Sequence, residues 1–150
     1  MIMDKIEETI KQFIEDKNVC VIATCSENKP RASTVNYVAD GFTLYIITSG
    51  KSTKVRNIRA NPNVSVAIDD QGKTRVCLQA NGVAEILSGD EVEQAKKFYF
   101  PKRDISHHKP ELIDTIIKIK LKEIMFSDYT DIREGLKVYK FEVGEQWESR

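Results

Sequence analysis

A chain of 150 residues is long enough for one ordinary domain and too short for two. Its 23 Lys and Arg balance 23 Asp and Glu, so it lacks the broad electrostatic footprint of a protein whose main work is holding nucleic acid or an anionic membrane. With 41% hydrophobic and 31% charged residues, the composition is that of a globular chain and excludes a disordered one. The amino-terminal Met1-Ile2-Met3-Asp4 turns acidic at once, so neither a signal peptide nor an anchor is expected. The longest apolar run, Val19 to Ala23, falls far short of the ~20 residues of a membrane helix. Cys20, Cys25 and Cys77 are odd in number and match no zinc spacing. We therefore expect a reducing, cytoplasmic setting and no metal site, with Cys20 and Cys77 packed as small hydrophobes in strands.

Asp4 to Lys17 sets Ile6, Ile10, Phe13 and Ile14 at helical spacing, which predicts an amphipathic amino-terminal helix. Asn18 to Cys25 is apolar and β-branched, a first strand, and Glu27-Asn28-Lys29-Pro30 predicts the turn into a second, Arg31 to Ala39. Asp40-Gly41 is a two-residue hairpin signal, since both central positions of such a turn favour positive φ; Phe42 to Thr48 is then the third strand. A helix from Thr53 to Ala60 ends at Asn61-Pro62, because proline cannot continue a helix and biases the residue before it towards extended backbone.

Val64 to Asp69 alternates as a fourth strand, Asp70 to Lys73 turns the chain, and Thr74 to Leu87 is a long fifth strand. Ser88 and Glu91 have capping-box spacing for a helix ending near Phe100, with Val92, Ala95 and Tyr99 on one face. Pro101 to Pro110 reads as a polar loop. Ile117, Ile119 and Leu121 alternate with Lys118, Lys120 and Lys122, a strand with one buried and one wet face. Tyr139, Phe141 and Val143 mark the last strand, and 144–150 a flexible tail. With no repeat or linker, one domain over 1–150 is expected. Six or seven short strands with inserted helices predict a mainly β, α+β fold whose antiparallel sheet closes, or nearly closes, into a barrel.

The chemistry concentrates where the third strand runs into Ser49-Gly50-Lys51-Ser52-Thr53-Lys54 and then into a helix. Helix-leading N–H groups and the helix dipole favour negative charge, Gly50 permits close approach, and three hydroxyls and two ammonium groups are within reach. The segment is not a nucleoside-triphosphate P-loop. Gly50-Lys51-Ser52 matches the end of that pattern, but the upstream glycine it needs would stand at Tyr45. Taken alone, the segment is equally compatible with a polar strand-to-helix turn capped by Ser52 or Thr53.

Its neighbourhood carries more. The order Ala23-Thr24, Pro30-Arg31-Ala32, Leu44-Tyr45-Ile46-Ile47-Thr48, Ser52-Thr53-Lys54, Asn57-Ile58-Arg59-Ala60-Asn61-Pro62 and Gly82-Val83-Ala84 resembles the pyridoxamine 5'-phosphate oxidase-like family of flavin mononucleotide (FMN)-binding split barrels. The resemblance spans Val19 to Phe100, with a weaker echo to Phe126. It implies a six-stranded split barrel forming a homodimer, with one FMN in each of two clefts at the subunit interface. By position it makes Arg31 and Lys54 the cationic phosphate ligands, with Ser52 and Thr53 donating through hydroxyl or backbone. Thr53 departs from the second basic residue that the family often has there. Ser33, Thr34 and Val35 would line the ribityl chain and ring, and Ile47, Thr48 and Ser49 would approach the ring edge. A monoester phosphate carries about −1.5 to −2 charge near neutral pH, which two cations and several donors match.

The same resemblance argues against pyridoxamine 5'-phosphate as substrate. The lysine that such oxidases use for substrate phosphate, five residues after the arginine, is Asn36 here. Tyr139 to Arg150 holds no histidine to match their carboxy-terminal substrate segment. Tyr99 and Arg103 keep a spacing found in those enzymes, but His107 replaces the serine that should follow, and a core-facing Tyr99 with a solvated Arg103 explains the pair as well. No catalytic residue is assigned. His107-His108 reads as a solvent-exposed pair, not a metal or haem ligand. The lysine stripe reads as a wet face able to attract an anionic substrate, and Trp147 is unassigned. The expected activity is that of a flavin-dependent oxidoreductase acting on a small molecule. The alternatives are a non-catalytic flavin carrier or sensor and a haem- or deazaflavin-binding relative on the same barrel.

Overall fold

Alternating burial runs through most of the chain, and three helices pack against the sheet that results. The computed structural model describes residues 2–70, 72, 75–103, 114–131 and 133–144, with side chains from Asp4 onward. In chain order these form α1 (Ile2–Asp16), β1 (Val19–Ser26), β2 (Lys29–Asn36), β3 (Val38–Asp40), β4 (Thr43–Thr48), α2 (Thr53–Ala60), β5 (Asn63–Asp69), β6 (Val76–Ile86), α3 (Asp90–Tyr99), β7 (Thr115–Asp128) and β8 (Lys137–Glu142). A 3-10 turn, Phe100–Lys102, follows α3. His107, His108, Trp147, the turn residues Gln71 and Lys73 and most of the expected polar loop lie outside the described residues.

All pairings are antiparallel, in the order β2-β1-β5-β6-β7-β4-β3, with β8 on β7. This is not a simple meander, because β7 is long enough to serve two neighbours on one edge: its first half pairs with β4 and its second with β8. The outermost strands of the path, β2 and β3, are joined by Tyr37 alone, so the sheet must curl until its ends meet there, giving the split barrel. One core fills it: Ile10 and Ile14 of α1 pack with Ile22, Leu44, Ile46, Val66, Leu78, Ile117 and Ile119. A smaller cluster beneath α3 holds Leu87, Ala95 and Ile116, flanked by Tyr45, Ile47 and Val92.

Several local expectations change. The run expected as one strand, Arg31 to Ala39, breaks at Tyr37, which raises the strand number to eight. Buried Tyr37 donates its N–H to the Asn18 carbonyl (3.0 Å) and its hydroxyl to the Ile14 carbonyl (2.6 Å), one of the carbonyls that a helix end leaves unpaired. The first hairpin is tighter than expected, with Glu27 and Asn28 both at positive φ as its two-residue turn. The next has Asp40 paired with Thr43, so its turn residues are Gly41 and Phe42, one position on from the expectation, and of the two only Gly41 has positive φ.

The capping box at Ser88 does not form. Gly89, at φ 62°, takes the cap position of α3 with no side-chain cap, and Ser88 stands one residue too early. The last strand is Lys137–Glu142 and leaves Val143 in a turn. In β7 a bulge opposite Asn81 and Gly82 leaves Lys122 without a partner on β6, which returns Ile124 and Phe126 to the core after the Ile117 to Leu121 alternation. A Cβ at Gly82 would lie 2.8 Å from the Lys120 carbonyl, so only glycine fits there.

Candidate functional site

The loop after β4 is built from bonds that mostly close on themselves. Lys51 N–H donates to Ser49 Oγ (3.2 Å) and Ser52 N–H to the Ser49 carbonyl (3.1 Å). Ser52, in extended conformation at φ −69° and ψ 154°, caps α2: its Oγ accepts the Val55 N–H at 3.4 Å and its carbonyl the Arg56 N–H at 3.3 Å. The Ser52 hydroxyl keeps its own proton to donate. Among the described residues, the N–H groups of Thr53 and Lys54 have no protein acceptor, which makes them the open donors of this helix start.

Gly50 differs from its expected role. Its N–H donates to Asp114 Oδ1 at 2.7 Å, and a Cβ there would lie 2.7 Å from Thr115 Oγ1, so the missing side chain makes room for β7 and not for a ligand. Asp114, whose Oδ1 also accepts the Thr115 hydroxyl at 3.0 Å, has its carboxyl held below the usual range, first by the Gly50 N–H and then by Thr115. Sequence reasoning missed this residue. The β4 to β7 register, which ends at Thr48 opposite Thr115, could have suggested it only once that pairing was known.

Lys54 lies half-buried on the first turn of α2 with its Nζ 3.4 Å from Thr48 Oγ1, and partial burial holds its ammonium below the ordinary lysine range. Three residues on, buried Asn57 donates to the buried Thr24 Oγ1 of β1 at 3.0 Å and so ties the helix to that strand. Arg31 is the cross-strand partner of Thr24, so its side chain leaves β2 on the face that α2 covers. Ser33 and Val35, partners of buried Ile22 and Cys20, share that face, and Val35 packs against the core. Thr34, partner of Val21, lies on the opposite face. Thr48, Ser52, Thr53 and Lys54 thus stand together at the start of α2, while Arg31 and Ser33 leave β2 on the face that α2 covers. The fold sends the Ile47 side chain elsewhere, into the cluster under α3. Neither Arg31 nor Lys54 is in an ion pair among the described residues.

The outer face of the sheet carries a groove of about 680 Å³ floored by Val21, Ala23, Ala67 and Met125. A polar ladder crosses it: Ser65 Oγ donates to Asn81 Oδ1 (2.6 Å), and Asn81 Nδ2 to Glu123 Oε2 (3.4 Å). Val21 and Val83 are 37% and 40% exposed on this face.

Residues 6–126 match the family model described as pyridoxamine 5'-phosphate oxidase. General stress protein 26 of Bacillus subtilis (strain 168) is 27% identical over 90 residues, a match that spans 59% of this chain and 64% of that protein's length. A haem-binding protein from Mycobacterium smegmatis has a similar structure, with a TM-score of 0.73 at 20% identity over 91% of this chain and 57% of the other. A FAD-binding protein from Mesorhizobium loti gives 0.64 at 20% identity over 78% and 88%. At these identities the two structures establish the shared barrel.

Proposed function

The chain belongs to the pyridoxamine 5'-phosphate oxidase family, and from that premise we propose that it is an FMN-binding flavoprotein, a homodimer that acts as an oxidoreductase on a small molecule. The observation that carries the reading is the start of α2. There, among the described residues, a half-buried Lys54 has no carboxylate partner and stands with two open N–H groups and the Ser52 and Thr53 hydroxyls, while Arg31 leaves the β2 strand on the face that α2 covers. A phosphate monoester supplies the charge this arrangement lacks, and its oxygens accept from each of these donors. Bound there, FMN would supply hydride and electron transfer. This chain's own residues would seat the phosphate and orient the ring along β2 and the end of β4.

Val21, Ala23 and Ala67 on the outer sheet face favour a second copy as partner, with Thr34 beside it to meet the ring. No helix among the described residues is long and apolar enough to cross a membrane, and Cys20, Cys25 and Cys77 are free thiols; the setting that belongs to this reading is a reducing, cytoplasmic one. The substrate is a small molecule other than pyridoxamine 5'-phosphate, because Asn36 replaces the lysine expected for the substrate phosphate.

The absorption spectrum of the purified protein, with the mass of the released cofactor, tests this reading. Two flavin bands and the mass of FMN are expected. A sharp Soret band would overturn it in favour of the haem chemistry named for the mycobacterial relative. Reoxidation kinetics of the reduced flavin with candidate acceptors then separate an enzyme from a carrier, and sedimentation gives the subunit number.

A further inference from the structure

Among the described residues, the loop from Ser49 to Ser52 is tied at its end to the helix it caps, and in its middle to the barrel by one bond, from Gly50 N–H to Asp114. The bonds at Lys51 and Ser52 return to Ser49 and set the local shape, but they do not fix where the loop stands on the barrel. That position depends on Gly50 and Asp114, 64 residues apart in sequence. The β4 to β7 ladder stops at Thr48 and Thr115, and one step further the Asp114 side chain takes the place of a backbone partner and holds the departing chain. The absence of a side chain at Gly50 lets the loop approach Thr115 at the same spot, where a Cβ would lie 2.7 Å from its Oγ1.

We propose that Asp114 is a positioning residue for the cofactor phosphate, holding the loop through Gly50 so that Ser52, Thr53 and Lys54 present their donors at one point. The proposal rests on the FMN reading above. It has an electrostatic oddity, since a carboxylate beside a phosphate seat repels the ligand. Asp114 is tolerable there because Gly50 N–H, the Thr115 hydroxyl and the nearby Lys51 charge stabilise it, and because it is open to water. Its value is therefore as an acceptor at a fixed place, and its charge is incidental.

The test compares Asp114→Ala with Asp114→Asn, whose Oδ1 can still accept the Gly50 N–H. The readout is the ratio of riboflavin to FMN dissociation constants, which isolates the phosphate. Asp114→Ala should lower that ratio by about tenfold, the scale of one hydrogen bond to a charged group, while Asp114→Asn stays within about twofold of the parent. An unchanged or raised ratio in the alanine variant overturns the positioning role, as does an equal fall in both variants, which would show that an acceptor at that place is not what holds the loop. Lys54→Ala in the same assay separates this from the parent reading. If it leaves the ratio intact, the phosphate does not sit at α2. If it collapses the ratio while Asp114→Ala does not, the seat stands and the anchor falls. Loss of riboflavin affinity together with a lowered Tm identifies simple misfolding, and Gly50→Ala, which drives a Cβ onto Thr115, then repeats the test from the other side of the contact with the same expected tenfold loss.

Discussion

The two helices that follow strands in this barrel, α2 and α3, solve the same electrostatic problem in opposite ways. Each begins with unpaired N–H groups and the positive end of a helix dipole. α3 answers from its own sequence: its cap, Gly89, offers no side chain, but Asp90, Glu91 and Glu93 fill its first turn with negative charge. α2 has a good side-chain cap in Ser52 and no acid in its first turn, and it adds the Lys54 cation, with Arg31 on the strand beside the one it covers. A helix start with its cap satisfied and its positive charge left standing is arranged to take an anion from outside, whereas α3 is complete without one. The Lys54 and Arg31 charges are two of 23 in a chain of zero net charge, so placement matters here and total charge does not.

The strongest way to break the contrast is to give α2 the solution of α3. Thr53→Glu puts an internal anion where the phosphate is proposed to sit, and like-charge repulsion of several kcal/mol predicts a loss of FMN affinity of about 100-fold or more. The apo protein should be unaffected or stabilised by about 0.3 to 1 kcal/mol, since the acid now balances the dipole. Fluorescence titration with FMN and thermal unfolding of the apo protein read the two effects. FMN binding equal to that of the parent would mean that α2 is not the seat.

Removal of the cation is next. Lys54→Ala should cost about 1.5 to 3 kcal/mol of FMN binding, the scale of a hydrogen bond to a charged group. The same residue predicts a pH dependence. Burial lowers its pKa from the ordinary 10.5, so in the alkaline range the unfolded chain holds this proton more firmly than the folded apo protein. The contribution of Lys54 to apo stability therefore rises as pH climbs through the lowered value towards 10.5. FMN needs the protonated form, so its affinity should weaken at a pH below that at which an ordinary lysine titrates. Lys54→Arg, which keeps its charge throughout, should flatten that limb of the titration. A parent profile that is flat up to pH 10.5 would remove Lys54 from the phosphate shell.

How legible each part was from sequence follows from how local its cause is. The bounds of α2, Thr53 to Ala60, are set by Ser52 before it and Asn61-Pro62 after it, and they were readable from those residues alone. The facing of Ile47 was not, because Leu44-Tyr45-Ile46-Ile47 is apolar on both sides. A period of two carries no information there until α3 is known to cover the second face. The corner at Tyr37 was hidden for a different reason: its cause is a pair of carbonyls, Asn18 and Ile14, some 20 residues upstream. Asp114 was the least legible of all, since its meaning depends on the register of two strands far apart in the chain. Motif reasoning named Ser52, Thr53 and Lys54 and missed the Asp114 bond to Gly50 beside them.

The smallest expected effect completes the contrast from the other side. Asp90→Asn with Glu91→Gln removes two of the three acids that balance α3 and leaves Glu93 to its exposed contact with Lys96 at 3.6 Å. The loss should be about 1 kcal/mol of stability, lowering Tm by about 2 to 4 °C, with the difference shrinking in high salt as the dipole is screened. FMN affinity should stay within about twofold of the parent, because α3 meets the barrel through Ala95 and Tyr99 and its first turn contributes nothing to the group around α2. A rise in FMN affinity of about tenfold or more would mean that both helix starts share one anion, since removing acids beside a phosphate strengthens its binding. The two helix starts would then no longer be opposites, and the seat would have to be sought between α2 and α3.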